Sequence, residues 1–158
     1  MIAPDGLDSN RNRQTRGIAV GSALVFACAL AVYLCTLAPT ITWAHAGVDS
    51  GDFASAVACG GVPHPSGYPT YLLLAGLFQR LPWGDCAFRL NLLSAFAAAA
   101  AAALLALLVS RVTQRRSGAP SAIDAVPVAV TPISAGLLLA FGPVVWSQAV
   151  IAEDRKSV

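Results

Sequence analysis

Charge is what this sequence has least of. Of 158 residues, 11% are charged and 56% hydrophobic, and the mean hydropathy is +0.66. Soluble domains carry about 25% charge, so an ordinary water-soluble fold is excluded. Disorder is excluded as well, because a disordered chain needs low hydrophobicity. The net charge of +2 says nothing about nucleic acid, and no basic patch interleaved with aromatics points to it, so no nucleic-acid partner is expected. C-x-x-C, H-E-x-x-H, G-x-S-x-G, the phosphate-cradling glycine loop and the dinucleotide fingerprint are all missing. The usual sequence signatures of zinc, acyl-transfer and nucleotide chemistry are therefore absent.

The charges that exist leave long gaps, among them Arg16 to Asp49, Arg89 to Arg111 and Asp124 to Glu153. A helix crosses ~30 Å of hydrocarbon with about 20 apolar residues. Residues 17–38 fit a first span, stopped by Pro39, with Trp43 at headgroup level. Residues 90–110 fit a second, between Arg89 and Arg111, and include the seven-alanine run Ala97–Ala103. Alanine gains little on transfer to lipid, so that helix is expected to pack closely on others. Residues 131–152 fit a third, kinked at Gly142-Pro143. The fold class expected is all-α: a polytopic membrane protein with three transmembrane helices and an ordered outer loop of short interfacial helices.

Arginine sets the direction. Arg11, Arg13 and Arg16 precede the first span, and Arg111, Arg115 and Arg116 follow the second. The positive-inside rule makes both clusters cytoplasmic. Residues 1–16 become a cytoplasmic tail, 111–130 a cytoplasmic loop, 39–89 an outer loop and 153–158 an outer tail. Ala44-His45-Ala46 resembles a signal-peptidase site, but the apolar run before it is too long for a secretory leader. Cys28 and Cys35 fall in the first span as packing residues. Cys59 and Cys86 fall in the outer loop, where a disulfide is chemically allowed but not fixed by spacing.

The outer loop holds the reactive groups. Asp49-Ser50-Gly51-Asp52 opens a short helix that Gly60-Gly61 ends. Val62-Pro63-His64-Pro65 must be extended, and Ser66-Gly67 makes a turn. Pro69 suits the first position of a second helix running to about Leu81. This helix is too short to cross a bilayer and too apolar to leave it, so it is expected in the interface. Asp49 and Asp52 are three apart, which allows two readings. A carboxylate held near lipid can serve as a general base. Alternatively, Asp49 is an N-cap with Asp52 at the third helical position. His45, His64 and Asp49 are the set a metal would use, and a carboxylate there suits a divalent cation, although the sequence requires none. Arg80 and Arg89 can hold a phosphate or anchor helix ends among headgroups. Tyr68, Tyr71, Trp83 and Trp146 read as interfacial aromatics.

The ordered motifs are Tyr33-Leu34-Cys35-Thr36-Leu37-Ala38-Pro39-Thr40, Asp49-Ser50-Gly51-Asp52, His64-Pro65-Ser66-Gly67-Tyr68-Pro69, Leu81-Pro82-Trp83-Gly84, Arg89-Leu90-Asn91-Leu92-Leu93-Ser94-Ala95 and Trp146 to Glu153. Together they resemble the N-terminal part of a multi-pass membrane family long catalogued as a domain of unknown function. That family includes protein O-mannosyltransferases and is similar to the C-type glycosyltransferases. The resemblance implies sugar transfer from a polyprenyl-phosphate donor to an acceptor hydroxyl at the non-cytoplasmic face. It implies Asp49 or Asp52 as the base, and Glu153 as an acidic position that supports a metal or positions the acceptor. Leaving-phosphate charge falls, by its chemistry, to Arg80, Arg89 or His64, with Tyr68 beside them. The implied membrane is the bacterial plasma membrane, or the endoplasmic reticulum in a eukaryote.

The sequence departs from the family pattern in three places. Asp52 stands where the family usually has Glu, and Ser66 where it usually has Pro. After Glu153 the chain reads Asp154-Arg155-Lys156-Ser157-Val158, where the family continues into further helices, so a truncated reading frame is expected. Two rival classes remain: a transporter or channel subunit, and a non-catalytic fragment. A transporter would carry acidic residues inside its spans.

Overall fold

The computed structural model describes residues 5–41, 48–117 and 125–151. Trp43, His45 and Glu153 lie outside them, as does the tail after Glu153. Among the described residues six helices follow in order: α1 (Asp5–Thr36), α2 (Val48–Cys59), α3 (Pro69–Phe78), α4 (Cys86–Ser117), α5 (Ala125–Phe141) and α6 (Pro143–Ala149). No strand occurs among the described residues. Gln14–Thr36 and Cys86–Arg115 are long and apolar enough to cross a membrane. Val130–Phe141 with Pro143–Ala149 makes a third span if the bent pair counts as one. The bend falls at Gly142, whose φ of −60° and ψ of 133° are extended, with Pro143 starting α6. Pro132 is accommodated inside α5.

The chain divides into two compact units, each considered in its described residues: Met1–Ala29 with Ala99–Phe141, and Leu30–Ala98 with Gly142–Val158. Small residues build the first. Ala99, Ala102 and Ala106 recur at helical spacing on one buried face of α4, and Val25, Ala29 and Ala140 are buried too. Leu104 and Leu108, on the same helix, are exposed, as are Leu24 and Leu138. Apolar side chains left outside are normal for helices surrounded by hydrocarbon. Gly136 marks the closest approach. A Cβ there would meet Val25 Cγ1 at 2.8 Å, the Ala102 carbonyl oxygen at 2.9 Å and Ala106 Cβ at 3.1 Å. Inside α4, the Ser110 and Thr113 hydroxyls donate back to the carbonyls of Ala106 (2.8 Å) and Val109 (2.8 Å), so they need no other partner.

The second unit has a different core: Phe53, Ala54, Ala75, Ala87, Leu90 and Leu93, with Val57, Tyr68, Tyr71, Phe78 and Cys86 packed on it. Polar contacts tie the end of α1 to this core. The buried Asn91 amide donates to the carbonyls of Ala38 (2.9 Å) and Thr40 (3.4 Å). The Ala38 N–H bonds the Val150 carbonyl at 3.1 Å, and the Trp146 indole N–H donates to the Thr36 hydroxyl at 3.3 Å. Thr40 donates to Asp85 at 2.7 Å, while the other Asp85 oxygen accepts the Phe88 N–H at 2.7 Å. Asp85 therefore N-caps α4.

Candidate functional site

The site grows from the start of α2. α2 is described from Val48, and Asp49 lies in its first turn. Asp49 and Ser50 are buried, at 4% and 7% exposure. A carboxylate there is favoured by the positive end of the helix dipole. The far end closes as the double glycine predicts. Gly60 is left-handed (φ 65°), and the Gly61 N–H reaches the Ala56 carbonyl at 2.8 Å, a six-to-one C-cap.

The chain then returns past α2. Pro63 is buried, and the Gly67 N–H bonds the His64 carbonyl at 3.0 Å, which centres the turn on Pro65-Ser66, one residue before the Ser66-Gly67 position expected. Gly67 has φ of 81°, and a Cβ there would stand 3.2 Å from Val62 Cγ1, so glycine fits on both counts. This path brings His64 onto Asp52. One Asp52 oxygen, Oδ2, accepts both the His64 backbone N–H (2.9 Å) and its ring Nδ1 (2.7 Å). On the other ring nitrogen, Nε2, the Tyr68 hydroxyl stands at 3.5 Å. Tyr68 has φ of 44° and ψ of 53°, an uncommon left-handed conformation for a non-glycine residue, and it precedes Pro69 at the first position of α3.

Phe53 braces the cluster. Its ring centroid lies 5.7 Å from His64, 5.2 Å from Tyr68 and 4.9 Å from Tyr71. Behind it the Tyr71 hydroxyl is buried with no hydrogen-bond partner among the described residues. Burial first, and the neighbouring Cys86 second, push the Tyr71 phenol up to about 12, so it stays protonated at neutral pH.

The two arginines differ. The Arg89 guanidinium donates to the carbonyls of Trp83 (3.0 Å), Gln79 (3.2 Å) and Gly84 (3.1 Å) and to the Gln79 side chain (3.4 Å). It closes the 79–84 connection, which the sequence alone read as more helix: α3 stops at Phe78 and continues as i→i+3 turns to Leu81. Arg80 is exposed. Cys59 and Cys86 are both free thiols, and the Cys86 thiol contacts the Ala54 carbonyl at 3.5 Å. The disulfide that the spacing allowed is therefore not formed. Among the described residues no three His, Cys, Asp or Glu side chains gather as a metal site. Of the residues singled out by sequence, the structure joins Asp52, His64 and Tyr68. Glu153 and His45 lie outside the described residues. Sequence reasoning missed the Phe53 brace and the Asp85 and Asn91 ties. Asp85 carried a visible signal, an Asp immediately before the long apolar helix.

These features define an integral membrane protein with apolar spans and a folded loop carrying an acid–imidazole–phenol cluster. Residues 49–154 match the family model of the protein O-mannosyl-transferase TMEM260 N-terminal domain, and the chain belongs to that family. It is 35% identical over 134 residues to protein O-mannosyl-transferase TMEM260 of Mus musculus. That similarity covers 84% of this chain but 17% of the mouse protein's length. No solved structure matches the chain.

Proposed function

We propose that this chain is the N-terminal part of a membrane mannosyltransferase, which moves a mannose-like sugar from a polyprenyl-phosphate donor to an acceptor hydroxyl at the non-cytoplasmic face. Membership of the family supports the sugar and the reaction. The flanking arginines support the sidedness. No acidic residue falls inside a candidate span, which favours an enzyme over a transporter. The observation that carries the reading is the 2.7 Å contact between Asp52 and His64, which unites two separate family-like motifs in one place.

In this reading an aspartate of α2, Asp49 or Asp52, takes the proton from the acceptor hydroxyl as its oxygen attacks the anomeric carbon. The polyprenyl phosphate leaves. Arg80 and His64 are the groups that meet its charge, because Arg89 has four of its five N–H donors turned to the loop. Tyr68 lines the same place, and Glu153 positions the acceptor. The short apolar α3, with Leu73, Leu74 and Leu77 exposed, lies in the membrane interface beside the lipid carrier. The test is mannose transfer from a lipid-linked donor to a hydroxyl-bearing peptide, measured on membranes holding the full-length protein. Asp49→Asn and Asp52→Asn are each expected to lower the rate by about 10²–10⁴-fold, the usual worth of acid–base catalysis. Full transfer by both variants would remove the assignment.

A further inference from the structure

The two aspartates of α2 differ in what surrounds them. Asp49 is buried in the first turn. Asp52 is 40% exposed, and one of its oxygens receives both N–H groups of a single residue, His64. A carboxylate oxygen that takes Nδ1–H fixes the neutral imidazole as the Nδ1–H tautomer and makes Nε2 the working nitrogen. Nε2 is the atom turned to the Tyr68 hydroxyl, at 3.5 Å. Contacts of that length are common in catalytic groups before substrate arrives and tighten in the complex. Tyr68 holds its place in a left-handed conformation, and such conformations gather where a binding site needs them. Phe53 packs edge-on to Tyr68 and tilted to His64, so both rings rest on one buried side chain.

We propose that Asp52 is a positioning residue, not the base, and that it holds His64 so that Nε2 serves the phosphate of the donor. The inference rests on the mannosyltransferase reading. The acceptor oxygen forms its bond to the anomeric carbon, and its proton passes to Asp49. The bond from that carbon to the phosphate oxygen breaks, and its electron pair stays on the phosphate. His64 enters as imidazolium, with Nδ1–H on Asp52 and Nε2–H on the leaving oxygen, and gives the Nε2 proton to it. The ring left behind is the Nδ1–H tautomer that Asp52 already holds. Asp49 and His64 are then reset by proton exchange with solvent.

Two measurements test this, one of them independent of activity. The sequence has two histidines, so ring-¹⁵N-labelled chain in detergent micelles gives two imidazoles, assigned with His45→Gln. Spectra are recorded at a pH high enough that the ring ¹⁵N shifts no longer move with pH. His64 is expected as the Nδ1–H tautomer, and Asp52→Ala is expected to release it to the Nε2–H form that free histidine prefers. Asp52→Glu, the residue usual in the family pattern, is expected to keep Nδ1–H. In the full-length protein, Asp52→Ala and His64→Gln should each lower kcat by about 10²-fold or more and leave the acceptor KM unchanged. The double variant should lose no more than either alone, because the two act as one unit. An unchanged tautomer in Asp52→Ala overturns the inference. So do single losses that multiply in the double variant, with transfer by the parent protein still intact. A protein that transfers no mannose but shows the Asp52-dependent tautomer overturns the reading of function and leaves the positioning role standing.

Discussion

The two units of this protein hold themselves together by opposite means. In the first, Gly136 lies against Val25, Ala102 and Ala106, the hydroxyls bond back within their own helix, and no acidic residue sits in the candidate spans. In the second, Phe53 and Leu90 form a core of larger side chains, and Asn91, Asp85, Arg89 and Asp52 each hold chain segments that are not helical. Apolar surface gains nothing by meeting other apolar surface in hydrocarbon, so the spans depend on close backbone approach. The loop unit has to close turns and extended segments, and polar side chains satisfy their backbone groups. Side chains able to do chemistry are concentrated where the backbone is irregular.

Five substitutions, with one control, sharpen this contrast. The largest effect belongs to Asp49→Asn, with transfer falling by about 10²–10⁴-fold, while Leu108→Ile on the exposed face of α4 leaves the rate within about twofold. Equal losses for the two would erase the division between the units. Next, Phe53→Ala removes the brace of His64, Tyr68 and Tyr71 and should cost about 3–5 kcal/mol. Hydrogen exchange is expected to accelerate in α2 and α3 and stay unchanged in α5.

Gly136→Ala puts a methyl where three neighbours stand within 3.1 Å and should cost about 1–3 kcal/mol in thermal unfolding in micelles. Gly76→Ala is its counterpart in the loop unit. Nothing lies within 4 Å of a Cβ there, so this change should stabilise by roughly 0.5–1 kcal/mol. An effect of comparable size is expected at Asp85. Hydrogen bonds from Thr40, and then from the Phe88 N–H, hold its carboxyl below the usual 3.8. A depressed folded value means that its stabilisation is complete above the unfolded pKa and is lost as pH falls through the folded one. Asp85→Ala should cost about 1 kcal/mol at neutral pH, the worth of an N-cap. The gap between wild type and variant should close below pH 3.8, a profile that unfolding at several pH values will reveal.

The legible parts of the fold were those governed by a few consecutive residues. Long charge-free runs announce spans. Gly60-Gly61 announces a helix end, because only the first glycine's positive φ and the second's N–H are needed to close it. Gly142-Pro143 announces a break, since proline cannot donate to the turn before it. The site was legible as a set of residues but not as a pairing. Asp52 and His64 are twelve apart, and their contact depends on how the segment from Val62 to Tyr68 folds back along α2. Arg89 shows the same difficulty. Its sequence setting suits a phosphate or a headgroup, but the early end of α3 at Phe78 leaves loop carbonyls that it satisfies instead.

The central claim is that the loop between the first two spans is a folded cap on the far side of the membrane from the cytoplasm. Cys59 offers a direct reporter, because it is exposed and unpaired at the end of α2. Sealed vesicles of known sidedness can be treated with a membrane-impermeant maleimide. We expect Cys59 to be labelled from the non-cytoplasmic side, to resist the reagent from the cytoplasmic side, and to account for the signal by its loss in Cys59→Ala. Labelling of Cys59 from the cytoplasmic side alone would contradict the account.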